Sequence, residues 1–186
     1  ATEAIVMIGE IRDAETADVA IQAALTGHLV LSTIHTNDAS SAMTRLVDMG
    51  VESFLVASSL AGVLAQRLVR TVCDECAVTT PLSEAGCREL GVDPALHAGK
   101  PVREGQGCPA CQHTGYRGRT GIYELLMVDD AVRDLVLSNA DASRVKHAAR
   151  EAGMATLRED GLQKILAGET TVAEVCRVTT EEAVLD

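Results

Sequence analysis

Aromatic residues are nearly missing from this sequence: there is no Trp, one Phe and two Tyr among 186 residues. That scarcity removes the stacking platforms on which single-stranded nucleic acids are bound. Positive charge is also short, with 16 Lys and Arg against 27 Asp and Glu and a formal net charge of −11. Such a balance repels phosphate backbones and anionic lipid wherever no local patch reverses it, so no nucleic-acid partner is expected. No basic-plus-apolar leader is present, and the longest apolar stretch, near "FLVASSLAGVLAQ", is shorter than the roughly 20 residues that span a bilayer. A cytoplasmic chain is the expectation.

What is present is a chain 47% apolar, enough to bury a core and to form one main domain with something smaller beside it. Charge is distributed unevenly. Residues 1–66 carry 2 basic and 8 acidic groups, residues 67–119 carry 7 and 6, and residues 120–186 carry 7 and 13. The middle segment, the one part without an acidic bias, also holds five of the six cysteines. The chain changes character there.

The run "AIVMIGE" reads as a strand covered on both faces in a parallel sheet, ending in the acid Glu10. Ala17, Ala20, Ile21, Ala24 and Leu25 follow at helical spacing, with Gly27 as the stop, and "HLVLSTIH" reads as a second buried strand. Strand, helix, strand predicts a parallel crossover, with ligands bound beyond the strand C-termini, where Glu10 and His35 would share an edge. Two helices are then predicted, "TNDASSAMTRLVDMG", with Asn37, Asp38 or Ser40 as the cap and Gly50 as the stop, and "ESFLVASSLAGVLAQRLVR", apolar on most faces and hence buried. From Cys73 to Gly121 periodicity fades, apart from a short helix near "LSEAGCREL". After a strand at "TGIYELLMV", four helices are predicted near 130–138, 142–152, 156–167 and 171–178, forming a small bundle with acidic outer faces.

Two cysteine pairs spaced C-x2-C, Cys73 with Cys76 and Cys108 with Cys111, carry the strongest local signal. In a reducing compartment they suit a closed tetrahedral zinc site, structural rather than hydrolytic because no coordination position remains for water. Redox pairs or plain buried cysteines are the alternatives. The 31 residues between the pairs exceed ordinary ribbon spacing and would form an insertion. Cys87 and Cys176 stand alone and read as structural. In "GYRGRTG", Arg117 and Arg119 would make either a contact surface or a solvated turn.

"IVMIGEIRD" also fits a nucleotide triphosphatase strand whose terminal acid holds Mg2+ through water or polarises an attacking water. His28 and His35 bracket the next strand as metal ligands, capping residues or parts of a phosphate-sensing site.

These segments, together with "TRLVDMGVESFLVASSLAGVLAQRLVR", "GYRGRTGIYELL" and "LREDGLQKILAG", in this order, resemble the secretion and pilus assembly ATPases, and in particular the C-terminal portion of the type II secretion ATPase family, the general secretory pathway E proteins. The resemblance implies an α/β fold: the C-terminal part of a RecA-like P-loop NTPase domain with a tetracysteine zinc-binding insertion and a helical C-terminal region. It divides the chain at 1–72, 73–120 and 121–186. It makes "MIGEIRD" the Walker B segment with Glu10 as its acid, and "TGHLVLSTIH" a histidine box in which His35 senses the γ-phosphate and His28 holds neighbouring strand or subunit contacts. Arg12 and Asp13 would position neighbours at the nucleotide.

ATP and Mg2+ in the full-length protein, and structural Zn2+, are the implied cofactors. A homo-oligomer, as a hexameric ring, and inner-membrane secretion platform proteins are the implied partners. The implied location is the cytoplasm, with peripheral attachment to the inner membrane through those partners. One departure is decisive: the phosphate-cradling G-x4-G-K-[ST] loop is missing, and "HAGKPV" does not replace it. The upstream acidic motif and N-terminal arginines of the family are missing as well. The chain is therefore expected to be a fragment of a longer ATPase, inactive alone. A pilus extension ATPase and a zinc-stabilised docking module for a membrane platform protein are the alternative readings.

Overall fold

The apolar run after Ala4 forms β1 (Ile5–Ile8), and Asp13 then starts α1 (Ala14–Leu25) by accepting a 2.8 Å hydrogen bond from the Thr16 N–H. At the end of α1 the amides of Gly27 and His28 return to Ala24 and Ala23, with Gly27 at φ +94°, a backbone conformation that favours glycine. The chain re-enters the sheet as β2 (Leu29–Ser32), parallel to β1, with Ile5 opposite Leu29 and Ile8 opposite Ser32. The predicted crossover is present. The computed structural model describes residues 4–179.

The remaining elements, in order, are α2 (Ser40–Asp48), α3 (Ser53–Ser59), β3 (Gly62–Val72), β4 (Ala77–Pro81), α4 (Glu84–Leu90), α5 (Pro94–His97) and β5 (Pro101–Gly105). A 3-10 turn at Pro109–Cys111 precedes β6 (Tyr116–Met127), and α6 (Asp130–Leu137), α7 (Ala142–Glu151), α8 (Leu157–Leu166) and α9 (Val172–Thr179) follow. β3 pairs with β6, and β4 pairs antiparallel with β5.

Two compact units result: Ala1–Ala65 with Leu125–Met154, and Gln66–Glu124 with Ala155–Asp186. In the first, Ala17 and Ile21 of α1 join Met43, Leu46, Val56, Val132, Val136 and Val145 in one core. In the second, Val69, Leu82, Cys87, Leu90, Ile122, Leu157, Ile165 and Val175 form another. Cys87 is a core residue, and Cys176 packs against the same cluster.

Three expectations are corrected. The segment "ESFLVASSLAGVLAQRLVR" is not one helix; α3 ends at Leu60, whose backbone is already extended at φ −82° and ψ 122°, and β3 begins at Gly62. From Leu64 onward the residues alternate with period two: Leu64, Gln66, Leu68 and Arg70 are exposed, while Ala65, Arg67 and Val69 are partly or fully buried. Pairing with β6 satisfies this backbone as a strand, and Ala- and Leu-rich composition alone does not reveal it. β1 and β2 are not covered on both faces: Ile5 and Met7 are 65% and 78% exposed, and Leu29 and Leu31 are exposed beside them. Their alternate residues, Val6, Ile8 and Val30, are half-buried. The last four helices do not form one bundle either, because α6 and α7 belong to the first unit with α2 and α3, whereas α8 and α9 belong to the second with α4 and β5.

Candidate functional site: a strand-end carboxylate and a four-cysteine cluster

Parallel pairing of β1 and β2 puts the chain segments after both strands at one sheet edge. There Ile11 N–H donates to the Thr33 carbonyl at 2.8 Å, and the Thr33 hydroxyl donates to the Gly9 carbonyl at 2.8 Å. These two bonds clamp the turns that carry Glu10 and His35. Glu10 is half-buried, with its carboxylate between His35 and Arg12: His35 Nε2 lies 2.6 Å from Oε1, and Arg12 Nε donates to Oε2 at 2.5 Å. His35 and Arg12 are largely exposed on its two sides.

Oε1 is enclosed and has the 2.6 Å ion-pair contact with His35, but it accepts no hydrogen bond among the described residues. An enclosed carboxylate oxygen with spare acceptor capacity suits a cation or a water held by one. This donor set fits the outer-sphere Mg2+ that the Walker B reading implies.

The other two residues named with Glu10 have local tasks. Asp13 caps α1, and hydrogen bonding from Thr16, its amide first and then its side chain, holds the carboxyl below the usual carboxylate range. His28 precedes β2 and so stands at the opposite end of the strand from His35. Its Nδ1 lies 3.1 Å from both the Thr26 hydroxyl and the Ala23 carbonyl, sealing the C-terminus of α1. The structure brings Glu10, His35 and Arg12 together and leaves His28 apart. Just before α2, Asp38 Oδ1 accepts from the Ser41 amide at 2.9 Å. Burial pushes the Asp38 carboxyl up, but the Ser41 hydrogen bonds, Lys146 and Ser40 hold it below its ordinary value.

In the second unit the cysteine pairs converge. The sulfurs of Cys73, Cys76, Cys108 and Cys111 all lie within 4.8 Å of one another. Cys73 to Cys108 and Cys76 to Cys111 are both 3.9 Å, and Cys108 to Cys111 is 3.8 Å. A tetrahedron of thiolates about 2.3 Å from zinc has edges of about 3.8 Å, so the donors stand where such an ion needs them. Backbone amides complete the arrangement: Gly107 N–H donates to Cys76 Sγ at 3.3 Å, and Cys108 and Gly115 donate to Cys111 Sγ at 3.2 Å each. The Cys108 amide, followed by that of Gly115, lowers the Cys111 thiol to about 6, whereas desolvation raises Cys76 to about 11.

Glycine is required for this convergence. A Cβ at Gly105 would lie 2.0 Å from the Gly115 carbonyl oxygen, and one at Gly107 would lie 2.8 Å from that of His113. Asp74 and Glu75, between the first two cysteines, are paired on the surface with Arg103 at 2.8 Å and Arg117 at 3.3 Å.

A model of the type II/IV secretion system proteins matches residues 4–177. The chain belongs to this family. Among its relatives, type II secretion system protein E of Pseudomonas aeruginosa is 54% identical over 178 residues, which is 96% of this chain and 35% of that protein. The type IV pilus assembly ATPase PilB of Thermus thermophilus is 51% identical over 177 residues, 95% of this chain and 20% of that one. The chain thus spans about a third or less of these relatives. Of solved structures, the pilus retraction motor PilT with bound ADP matches with a TM-score of 0.62 at 23% identity, over 94% of this chain and 39% of that one. The ATPase DotB of Legionella pneumophila matches with a TM-score of 0.61 at 24% identity, over 95% and 38%. The fold of this family member is therefore the RecA-like α/β fold of the secretion ATPases. No helix among the described residues is long and apolar enough to cross a membrane.

One constellation escaped the sequence reading. Glu174 of α9 is buried and binds Arg70 of β3 and Arg177 of its own helix. Arg70 and Glu174 are 104 residues apart, so no local spacing announces the pair.

Proposed function

We propose that this chain is the C-terminal part of the ATPase motor of a bacterial type II secretion system, which powers pseudopilus assembly and protein export. The observation that carries the reading is the Glu10 carboxylate, held at the joint C-terminal edge of two parallel strands, with an enclosed oxygen that His35 approaches at 2.6 Å and that no hydrogen bond among the described residues saturates. Family membership over residues 4–177 and 54% identity to a type II secretion protein E support it.

In the full-length protein Glu10 would hold Mg2+ through water and orient the attacking water, and Arg12 would fix the carboxylate rotamer by its 2.5 Å contact. Bound Mg2+ would supply charge neutralisation at the phosphates. His35, exposed beside Glu10, would donate to the γ-phosphate and report its loss, while His28 would hold the strand or a neighbouring subunit. Asp13 would contribute by fixing the start of α1 directly after this loop.

The four cysteines would hold one structural Zn2+. Without a G-x4-G-K-[ST] loop the chain alone would not hydrolyse ATP, because positioning of the phosphates provides most of the catalysis. The assembled protein would be a hexamer, cytoplasmic, and attached peripherally to the inner membrane through platform proteins. The division at 1–72, 73–120 and 121–186 would follow function: nucleotide contact, metal-stapled docking and structural support. A second reading, a type IV pilus extension ATPase, is favoured by the 51% identity to PilB.

The test uses the full-length protein. Glu10→Gln is expected to lower ATP hydrolysis by about 100-fold or more while nucleotide binding persists. Hydrolysis within a few-fold of the parent protein would sink the assignment of Glu10.

A further inference from the structure

Arg70, Arg119 and Arg177 line, with Leu68, a cavity of about 510 Å3 in the second unit. Behind them Glu174 is 1% exposed and fully engaged. Its Oε1 accepts from Arg70 Nη2 at 2.6 Å and Arg177 Nε at 3.0 Å, and its Oε2 accepts from the Arg70 amide at 2.9 Å and Arg177 Nη2 at 2.9 Å. The carboxylate orients two guanidiniums and does not reach the cavity wall. The Arg70 guanidinium stands 4.2 Å from the Tyr116 ring centroid, and the Tyr116 hydroxyl is tied to Thr171 Oγ1 at 2.9 Å. Arg119 makes no hydrogen bond or ion pair among the described residues.

Among the described residues, three guanidiniums against the one carboxylate they share leave two positive charges in excess on one wall of a chain whose formal net charge is −11. Holding like charges together is costly unless an anion offsets them. Planar guanidinium forks match phosphate oxygens bidentately, and two of the three here are already locked in place, so little ordering remains when an anion enters. The volume lies within the range of about 300–1,000 Å3 typical of small-molecule sites.

We propose that this cavity binds a phosphate-bearing dianion, with Arg119 as the free donor and Arg70 and Arg177 as the preset ones. The lining residues all belong to the second unit and Glu10 belongs to the first, and the proposal does not rest on the reading given for the Glu10 edge. The phosphate can come from a soluble ester or from a lipid headgroup.

The chain is titrated with inorganic phosphate and pyrophosphate while arginine side-chain N–H signals are followed by NMR, and is sedimented with phosphatidylcholine vesicles with and without phosphatidic acid. Arg119→Gln and Leu68→Glu change exposed side chains, and a thermal melt of each verifies that it is folded. Saturable binding is expected, weakened about tenfold or more by Arg119→Gln and lost in Leu68→Glu, with affinity falling as salt rises. Pyrophosphate saturation without vesicle capture assigns a soluble phosphate. Capture only by phosphatidic acid, lost in both variants, assigns a headgroup. A response linear in concentration, reproduction of the shifts by chloride at equal ionic strength, equal affinity in both variants, or binding to neither probe overturns the proposal.

Discussion

At the scale of single residues, Glu174 is the most consequential group outside the two candidate sites. Burial pushes its carboxyl up, but hydrogen bonds from Arg177 and Arg70 outweigh burial and hold it at about 2, against an ordinary 4.5. Because the folded value lies below the unfolded one, its stabilisation is full above about pH 4.5 and is lost as pH falls through about 2. Denaturant unfolding between these limits is expected to show stability rising with pH by about 3 kcal/mol from this group, and Glu174→Gln should flatten that part of the profile. An unchanged slope in the variant would show that other carboxylates dominate. The place of Glu10 just past a strand end was legible because strand, Gly and acid are contiguous. Arg70 and Arg177 were not legible, because only tertiary packing brings them together. Arg119 stands between glycines in the sequence, a setting that does not indicate the cavity it lines.

Among the elements, α8 shows how local chemistry and packing compete. Thr156 Oγ1 accepts from the Glu159 amide at 3.3 Å, and Glu159 Oε2 accepts from the Thr156 amide at 2.8 Å, a reciprocal cap that ties both orphan donors. Thr156→Ala should cost about 1 kcal/mol in chemical denaturation. Gly161, inside the same helix, would gain up to about 1 kcal/mol in helix propensity as Ala. Its new Cβ, however, would stand 2.5 Å from Cγ1 of Val175, a fully buried and β-branched side chain of α9. Overpacking of about 1–3 kcal/mol wins, so Gly161→Ala should lower the unfolding midpoint, and an increase would show that α9 can shift. Helices with polar caps and amphipathic spacing, α1, α2, α4 and α6 to α9, could be read along the chain. β3 could not, since Leu and Ala serve either conformation and its partner β6 lies some 50 residues later.

For the molecule as a whole, the metal prediction separates the two units. A closed thiolate site contributes folding free energy where its ligands lie, and the four cysteines that could serve as ligands all lie in the second unit. A zinc chelator should therefore speed amide exchange at Gly107, Cys108 and Gly115 by about tenfold or more, while α1, α2 and α7 exchange as before. Equal acceleration in both units would indicate a single cooperative block, and no change would mean the sulfurs hold no ion. The spacing of the cysteine pairs revealed the cluster. It did not reveal that Gly105, Gly107 and Gly115 permit the backbone to close around it, because those contacts join segments on either side of the cluster. The division of the last four helices between two cores also escaped a linear reading, since each pair follows its own unit's apolar surface.

The polypeptide passes from one unit to the other at 65–66, at 124–125 and at 154–155, so each unit is assembled from two separated stretches. No single backbone cleavage or truncation can excise either unit intact, and transplanting the cysteine-bearing unit into a relative means exchanging two segments together. A chain stopped before Ala155 would strand Val69 and Ile122 without Leu157, Ile165 and Val175 to pack on. The unit that carries the cysteines therefore becomes foldable only once the last helices have been synthesised.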